Sequence, residues 1–414
     1  MRGPSSWITP CANALPRPRS NSAWECPACL VDWEDAAAAE HRDAAKTDTN
    51  RSVRTVEEAR LRALLRLAYL ELPPRRLLNL LERFEKPEDL FHASRTDLLR
   101  IEGMTEAAAA RILNAPDLTP EQWQRWQKAN ARLLTWRDEN YPAPLREIVD
   151  FPPLLFVRGS LQERDRFAIA IVGTRKPTSY GRTVAEKLGR ELARYGLTIV
   201  SGGARGIDTA AHTGALRANG RTIAVLGCGI DVAYPAESAA LFQRIATQGA
   251  LISEYPPGIQ PDQWRFPARN RLVSALALGV LVVEAPCDSG ALITASHALE
   301  QGKPVFAVPG NIDTGHSAGC HQLIKQGATL VDSVEDIVRA LGIAPEPPPE
   351  RAALPTLTPV QQQVLQALSL TPKHVDALAD ELRLPVAQLN AELLLLEMHN
   401  LVRRQPGNAY VRVP

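Results

Sequence analysis

The sequence predicts a doubly wound α/β protein, and three observations carry that prediction. The first is a series of apolar runs: Ile169–Val172, Leu197–Val200, Thr222–Leu226, Leu251–Ser253, Val280–Val283, Val305–Val308 and Thr329–Val331. Most are unbroken, as strands of a parallel sheet covered on both faces are. The second is the helical periodicity between them: Val184, Leu188 and Leu192, for example, recur one turn apart on one face. The third is a polar or glycine-rich loop at the end of most runs, beginning with Gly173-Thr174-Arg175 and Ser201-Gly202-Gly203.

Strand, helix, strand makes the two strands parallel, so both glycine loops leave the sheet at one edge. Ligands of such sheets bind outside the carboxyl ends of the strands. Each loop is followed by a helix start whose first N–H groups lack partners within the helix, an arrangement suited to an anion. Arg175 and Arg205 add positive charge there. The spacing therefore predicts a phosphate-binding cleft. Charge placement agrees: Phe167 to Arg271 holds thirteen Lys/Arg against seven Asp/Glu, while Leu272 to Ala340 holds three against seven.

Bulk properties mainly exclude. A net charge of +1 over 414 residues gives no compositional signal for nucleic acid. No apolar run approaches the roughly twenty residues of a membrane span. The N-terminus lacks the apolar core of a signal peptide, and the six cysteines form no disulfide framework. These features predict a cytoplasmic protein. The chain has no Gly-x-Ser-x-Gly elbow for the nearby Ser201, Asp208 and His212, no GxxxxGK[ST] loop, and no GxGxxG after its first strand. We expect no catalytic residue and no cofactor. Cys26-Pro-Ala-Cys29 lacks the second ligand pair of a structural zinc site, so no metal is expected either.

The flanks divide the chain further. Residues 1–52 lack periodicity and read as an irregular, disordered extension. Residues 53–145 read as a helical domain, with an αα-hairpin turned at Ile101-Glu-Gly-Met104 and tryptophans 123, 126 and 136 packing the segment after it. The sheet domain takes 146–342, and a stiff Pro-rich linker 343–356. Over 357–414 three short helices and a hairpin turned at Pro406-Gly-Asn408 form a winged-helix pattern. Its third helix carries Glu392 and Glu397, which favours a protein-contact or accessory role over DNA reading. Trp264-Arg-Phe-Pro-Ala-Arg-Asn-Arg271 interleaves aromatic and cationic side chains. That mix suits a nucleic-acid strand, and equally a helix start anchored by Phe266.

Several ordered motifs resemble the DNA-processing protein DprA (Smf) family over roughly residues 55–414. They are Gly173-Thr-Arg175, Ser201-Gly-Gly-Ala-Arg-Gly-Ile-Asp208, Gly227-Cys-Gly-Ile-Asp231, Phe266-Pro-Ala-Arg-Asn-Arg271, Ser289-Gly-Ala-Leu-Ile-Thr294 and Pro304-Val-Phe-Ala-Val-Pro-Gly310. The resemblance implies a helical domain of sterile-alpha-motif type, an extended Rossmann-like sheet domain and a C-terminal winged helix. It implies a non-enzymatic, homodimeric single-stranded-DNA binder that protects incoming strands in natural transformation and helps load the RecA recombinase. Carried over motif by motif, Gly173, Thr174 and Arg175 line the phosphate pocket. Ser201, Gly202, Gly203, Ala204 and Gly206 supply backbone donors, and Arg205 a charge. Arg269 and Arg271 track the backbone with Asn270 as a polar partner, and Phe266 stacks on a base. Asp208 organises the loop. The rival is an enzyme, a nucleotide N-glycosidase of the lysine-decarboxylase-like group on a related sheet. Those enzymes carry a PGGxGT loop where this chain has Pro309-Gly-Asn-Ile-Asp-Thr314.

Overall fold

The apolar runs become the centre of a nine-stranded sheet of order β1-β2-β6-β5-β4-β3-β7-β8-β9. In the computed structural model the described residues are 56–343, 357–369, 371–399 and 401–413. The extension over 1–52 with its CxxC, and nearly all of the Pro-rich linker, lie outside them. The chain divides into two units, Met1–Glu58 and Ala59–Pro414, and the sheet, its helices and the winged helix all belong to the second.

The expected strands are β3 (Ala168–Val172), β4 (Thr198–Ser201), β5 (Thr222–Leu226), β6 (Ala250–Ser253), β7 (Val280–Val282), β8 (Val305–Ala307) and β9 (Thr329–Leu330). All seven are mutually parallel. Two further strands, β1 (Arg132–Thr135) and β2 (Leu154–Gly159), extend the sheet antiparallel beyond β6. The sequence pattern does not announce them. β1 is four residues long and follows a Trp-bearing helix, and β2 begins directly after Pro152-Pro153, which reads as a domain passage.

Helices cover both faces, because alternate residues of each strand point to opposite sides. Ile169, Ile171 and Ile199 pack with α1 (Ser179–Arg194), α2 (Ile207–Arg217) and, further along, α7 (Val334–Ala340). Ala168, Ala170 and Val200 face α4 (Arg265–Ala275), α5 (Ala291–Glu300) and α6 (Ala318–Lys325). The helix α3 (Ala239–Gln248) joins a third cluster. There Leu80, Leu90 and Ile112 of the N-terminal helical region meet Phe156, Leu226 and Phe242. The strand order reverses between β3 and β7: the chain runs β3 to β6 on one side, then returns to place β7 on the other. That is the topological switch point.

In the helical region Arg95–Leu99 and Glu106–Leu113 form the αα-hairpin, and Gly103 turns it at φ +76°. The winged helix consists of α8 (Pro359–Ala367), α9 (Val375–Leu382), α10 (Val386–Met398) and the hairpin β11 (Val402–Gln405)–β12 (Ala409–Arg412). A short third strand, β10 (Lys373–His374), pairs with β12 and is invisible in the sequence pattern. Val364, Leu378, Leu393 and Tyr410 fill its core. No helix among the described residues is long and apolar enough to cross a membrane.

Candidate nucleic-acid interface

A cleft opens over the carboxyl ends of β4 and β5, not over the switch point itself. Its walls come from Arg175 after β3, Gly202, Ala204 and Arg205 after β4, Leu226 at the end of β5 with Gly227 and Cys228 beyond it, Tyr234-Pro235, and Phe266 and Arg269 of α4.

The first glycine loop is held by backbone. Thr174 N–H donates to the Glu284 carbonyl at 2.7 Å, and the Thr174 carbonyl accepts from Ile207 N–H at 3.2 Å. Gly173 abuts Ile207. Gly206 lies at φ +85°, and a Cβ there would stand 2.4 Å from the Thr174 carbonyl oxygen, so only glycine lets the two loops touch. This places Arg175 on an exposed bend. Its guanidinium sits 5.2 Å from the centre of the Phe266 ring. Phe266 stacks in turn on Tyr234, with centroids 5.4 Å apart and planes 26° apart. Arg175 has no carboxylate within salt-bridge distance among the described residues.

The second loop departs from expectation. The Gly202 and Ala204 amides, expected to face a phosphate, donate inward to Asp208 Oδ2 at 3.1 and 3.2 Å. The Ser201 hydroxyl is fully buried and donates to the Ile171 carbonyl at 2.6 Å. Gly203 is buried against Phe242. The protein's own carboxylate therefore occupies the anion cradle of this loop, and Asp208 organises it from the first turn of α2. Burial pushes the Asp208 carboxyl up to about 6, against the opposing pull of Arg269 and the loop amides.

Arg269 is 4% exposed. It donates to the Gly202 carbonyl at 2.6 Å and to the Val225 carbonyl, tying the loop after β4 to strand β5. Burial pulls its pKa down and Asp208 opposes this. Its expected role of tracking DNA is replaced by bracing the cleft floor. Asn270 accepts from Arg269 Nε and reaches the Gly290 carbonyl. Arg271 is not in the cleft at all: it is buried in ion pairs with Glu254 and Asp150, both at 2.7 Å. The reason is helical geometry. Residues 266 and 269 share a face of α4, whereas 271 is turned about 100° per residue away from 269.

Arg205 is exposed at the rim and forks onto Glu237. The Ser201/Asp208/His212 grouping has no catalytic geometry. His212 is buried, with Nδ1 2.6 Å from the Thr222 hydroxyl. Since that hydroxyl donates to the Ile199 carbonyl, Nδ1 carries a hydrogen. Burial holds its pKa down at about 3. The Cys228 thiol in the cleft wall is pushed up to about 11, also by burial. Among the described residues no group of three or more His, Cys, Asp or Glu could hold a metal. Sequence reasoning missed Tyr234, which is 43% exposed although aromatic. Its signal was an aromatic beside Pro235 in the long connection after β5.

A doubly wound sheet with a cationic, aromatic-walled cleft at its carboxyl edge, in one chain with a winged helix, defines a class of multidomain α/β proteins. Residues 132–342 match the family model for DNA recombination-mediator protein A, and residues 345–408 that for the DprA winged helix domain. The chain belongs to the DprA (Smf) family. It is 36% identical to Protein Smf of Synechocystis over 375 residues, 81% of this chain and 94% of that protein. Against Protein Smf of Escherichia coli it is 39% identical over 327 residues, 76% and 87% of the two chains. It is also similar to the X-ray structure of DNA processing protein A from Streptococcus pneumoniae. That match has a TM-score of 0.58 and 40% identity, and covers 65% of this chain and 93% of that one.

Proposed function

We propose that this protein binds single-stranded DNA in the cleft over β4 and β5, protecting strands during transformation and recombination. The observation that carries the reading is Arg175 laid on the Phe266–Tyr234 stack. A cation for the backbone beside an aromatic surface for a base is what an unpaired strand engages. Duplex bases are already stacked and cannot use the rings. In this reading Gly173, Thr174 and Arg175 form the phosphate-facing turn and Arg205 a second charge, while Phe266 and Tyr234 take a base. The carbonyl-bonded Arg269 and the Asp208-held loop from Ser201 to Gly206 hold these groups in place.

The same reading makes the protein a binder and not an enzyme. It is supported by a neutral buried His212, a Ser201 hydroxyl locked to backbone and a Cys228 thiol far from ionisation at neutral pH. It works in the cytoplasm as a homodimer that delivers strands to RecA. A route to the dimer is β9, an end strand of the sheet, where Thr329 and Leu330 are exposed and, among the described residues, one row of backbone groups has no neighbouring strand.

The experiment is titration of fluorescent single-stranded and duplex oligonucleotides at several salt concentrations, followed by a RecA filament assay on coated single strands. Preferential single-strand binding with a steep salt dependence and faster filament growth is expected. Equal binding to duplex, or release of free base from nucleotides, would move the reading to the duplex-binding or N-glycosidase alternatives.

A further inference from the structure

The switch-point crevice between β3 and β7, where a doubly wound sheet ordinarily takes its ligand, is plugged by a side chain. Glu284 lies two residues beyond β7 and is 1% exposed. Its Oε1 accepts from the Thr178 amide at 2.9 Å, and its Oε2 accepts from the Thr178 hydroxyl at 2.5 Å. Its backbone carbonyl accepts from the Thr174 amide at 2.7 Å. One residue therefore grips both ends of the segment 174–178, whose exposed members are Arg175 and Lys176. The fit is close: a Cβ on Gly181, in the first turn of α1, would stand 2.1 Å from Glu284 Oε2. The Thr178 hydroxyl meanwhile accepts from the Gly181 amide at 3.1 Å, capping α1.

We propose that Glu284 is a positioning residue for DNA binding. Its carboxylate takes the anion seat at the start of α1, fixes the 174–178 turn from both ends, and so aims Arg175 sideways onto Phe266. An anion at the head of α1 would draw Arg175 over β3. With that seat filled from within, the phosphate-binding charge is displaced to β4 and β5, beside the aromatic stack. This inference rests on the single-stranded-DNA reading of the cleft. The acid itself matters. The Thr178 amide and hydroxyl each donate to one carboxylate oxygen; a glutamine has a single side-chain oxygen, so one of these two donors would lose its acceptor.

The test uses the full chain and a labelled oligo-dT, read by fluorescence anisotropy and by thermal melting. Glu284→Gln should weaken binding roughly threefold or more, in the range of couplings between contacting groups. Its salt slope should fall by roughly 0.7, as one lost phosphate contact requires. Glu284→Gln should add nothing to Arg175→Ala, because it acts through that side chain. If Glu284→Gln does not fold, Thr178→Ala replaces it. That variant should show the same Arg175-dependent loss, and Thr178→Ser should restore binding. Wild-type affinity in the folded variant, or a loss that adds fully to that of Arg175→Ala, overturns the proposal alone. Failure of the wild-type protein to bind the oligonucleotide overturns the reading of the cleft and the proposal with it.

Discussion

Arg205 and Glu237 meet fork to fork at the rim of the cleft: Arg205 Nε donates to Oε1 and Nη2 donates to Oε2 at 3.1 Å. A carboxylate here holds the guanidinium in the two-pronged geometry a phosphate would use. The pairing raises the Arg205 pKa and lowers that of Glu237. Both side chains are exposed, so the pair stabilises the fold little. On the proposed reading of the cleft, Glu237 competes with a DNA phosphate for Arg205.

Glu237→Gln should therefore strengthen single-stranded-DNA binding, by about two- to fivefold at low salt, the scale of an exposed ion pair. Melting temperature should stay near wild type. Anisotropy titrations of Glu237→Gln, Arg205→Ala and the double variant check it. The gain should vanish in the Arg205→Ala background. A gain that persists there would be a general charge effect, and the competition between Glu237 and DNA would be lost as its cause.

Two buried groups beneath the cleft titrate in opposite senses. Asp208 is raised to about 6 from an ordinary value near 3.9, and His212 lowered to about 3 from near 6.5. For Asp208 the folded state holds its proton more tightly. Its contribution is thus full below about pH 4 and lost as pH rises through 6. For His212 the unfolded state takes the proton first, so its contribution is present above about pH 6.5 and lost as pH falls towards 3. Between pH 4 and 6 the slopes oppose each other, each at most about 1.4 kcal/mol per pH unit. Urea melts at pH 6.5, 5 and 4 should separate them. Relative to wild type, Asp208→Asn should lose stability on acidification, and His212→Gln should gain it. Parallel curves for wild type and Asp208→Asn would contradict the assignment.

The sheet and both glycine loops were legible because burial on two faces leaves unbroken apolar runs, and tight turns need glycine. The sequence also offered Arg175, in the turn after β3, and Phe266, at the start of α4, and the two line one cleft. What sequence did not disclose is which amides the chain keeps for itself. Asp208 lies four and six positions from the amides it takes, within reach of a local reading. Glu284 is 106 positions from Thr178, and no spacing rule links them. The Arg269/Arg271 distinction was present in the sequence all along: on a helix, two residues that far apart in angle cannot line one cleft.

Among the described residues only β8 pairs with the end strand β9, and a free strand edge is a template for a second chain. Leu330 is 45% exposed there, although apolar. Light scattering after size exclusion should give twice the monomer mass for the wild type, and Leu330→Lys should shift it towards monomer. A wild type that runs as a monomer at tens of micromolar, or a Leu330→Lys dimer of unchanged affinity, would remove β9 as the interface.

Arg175 stands at the bend after β3 with Phe266 beneath it and no carboxylate partner among the described residues. Of the three arginines lining the cleft, Arg205 is shared with Glu237 and Arg269 is tied to backbone carbonyls. Arg175 is thus the guanidinium with most to give a phosphate. Arg175→Ala should weaken single-stranded-DNA binding about tenfold or more, since hydrogen bonds to charged groups contribute on the order of 1.5 to 3 kcal/mol. The salt slope should fall by roughly 0.7, for one fewer counterion released. The loss should be alike for oligo-dT, oligo-dA and mixed sequences, because phosphate contacts carry no base information. Thermal stability should hardly change, because an exposed cation over one ring face stabilises by about 0.5 to 1 kcal/mol. Arg175→Lys should recover only part of the affinity, since an ammonium keeps the charge and loses the fork. Wild-type binding by Arg175→Ala would remove the phosphate role from this turn. A variant that melts several degrees lower would make Arg175 a structural residue of the β3 loop.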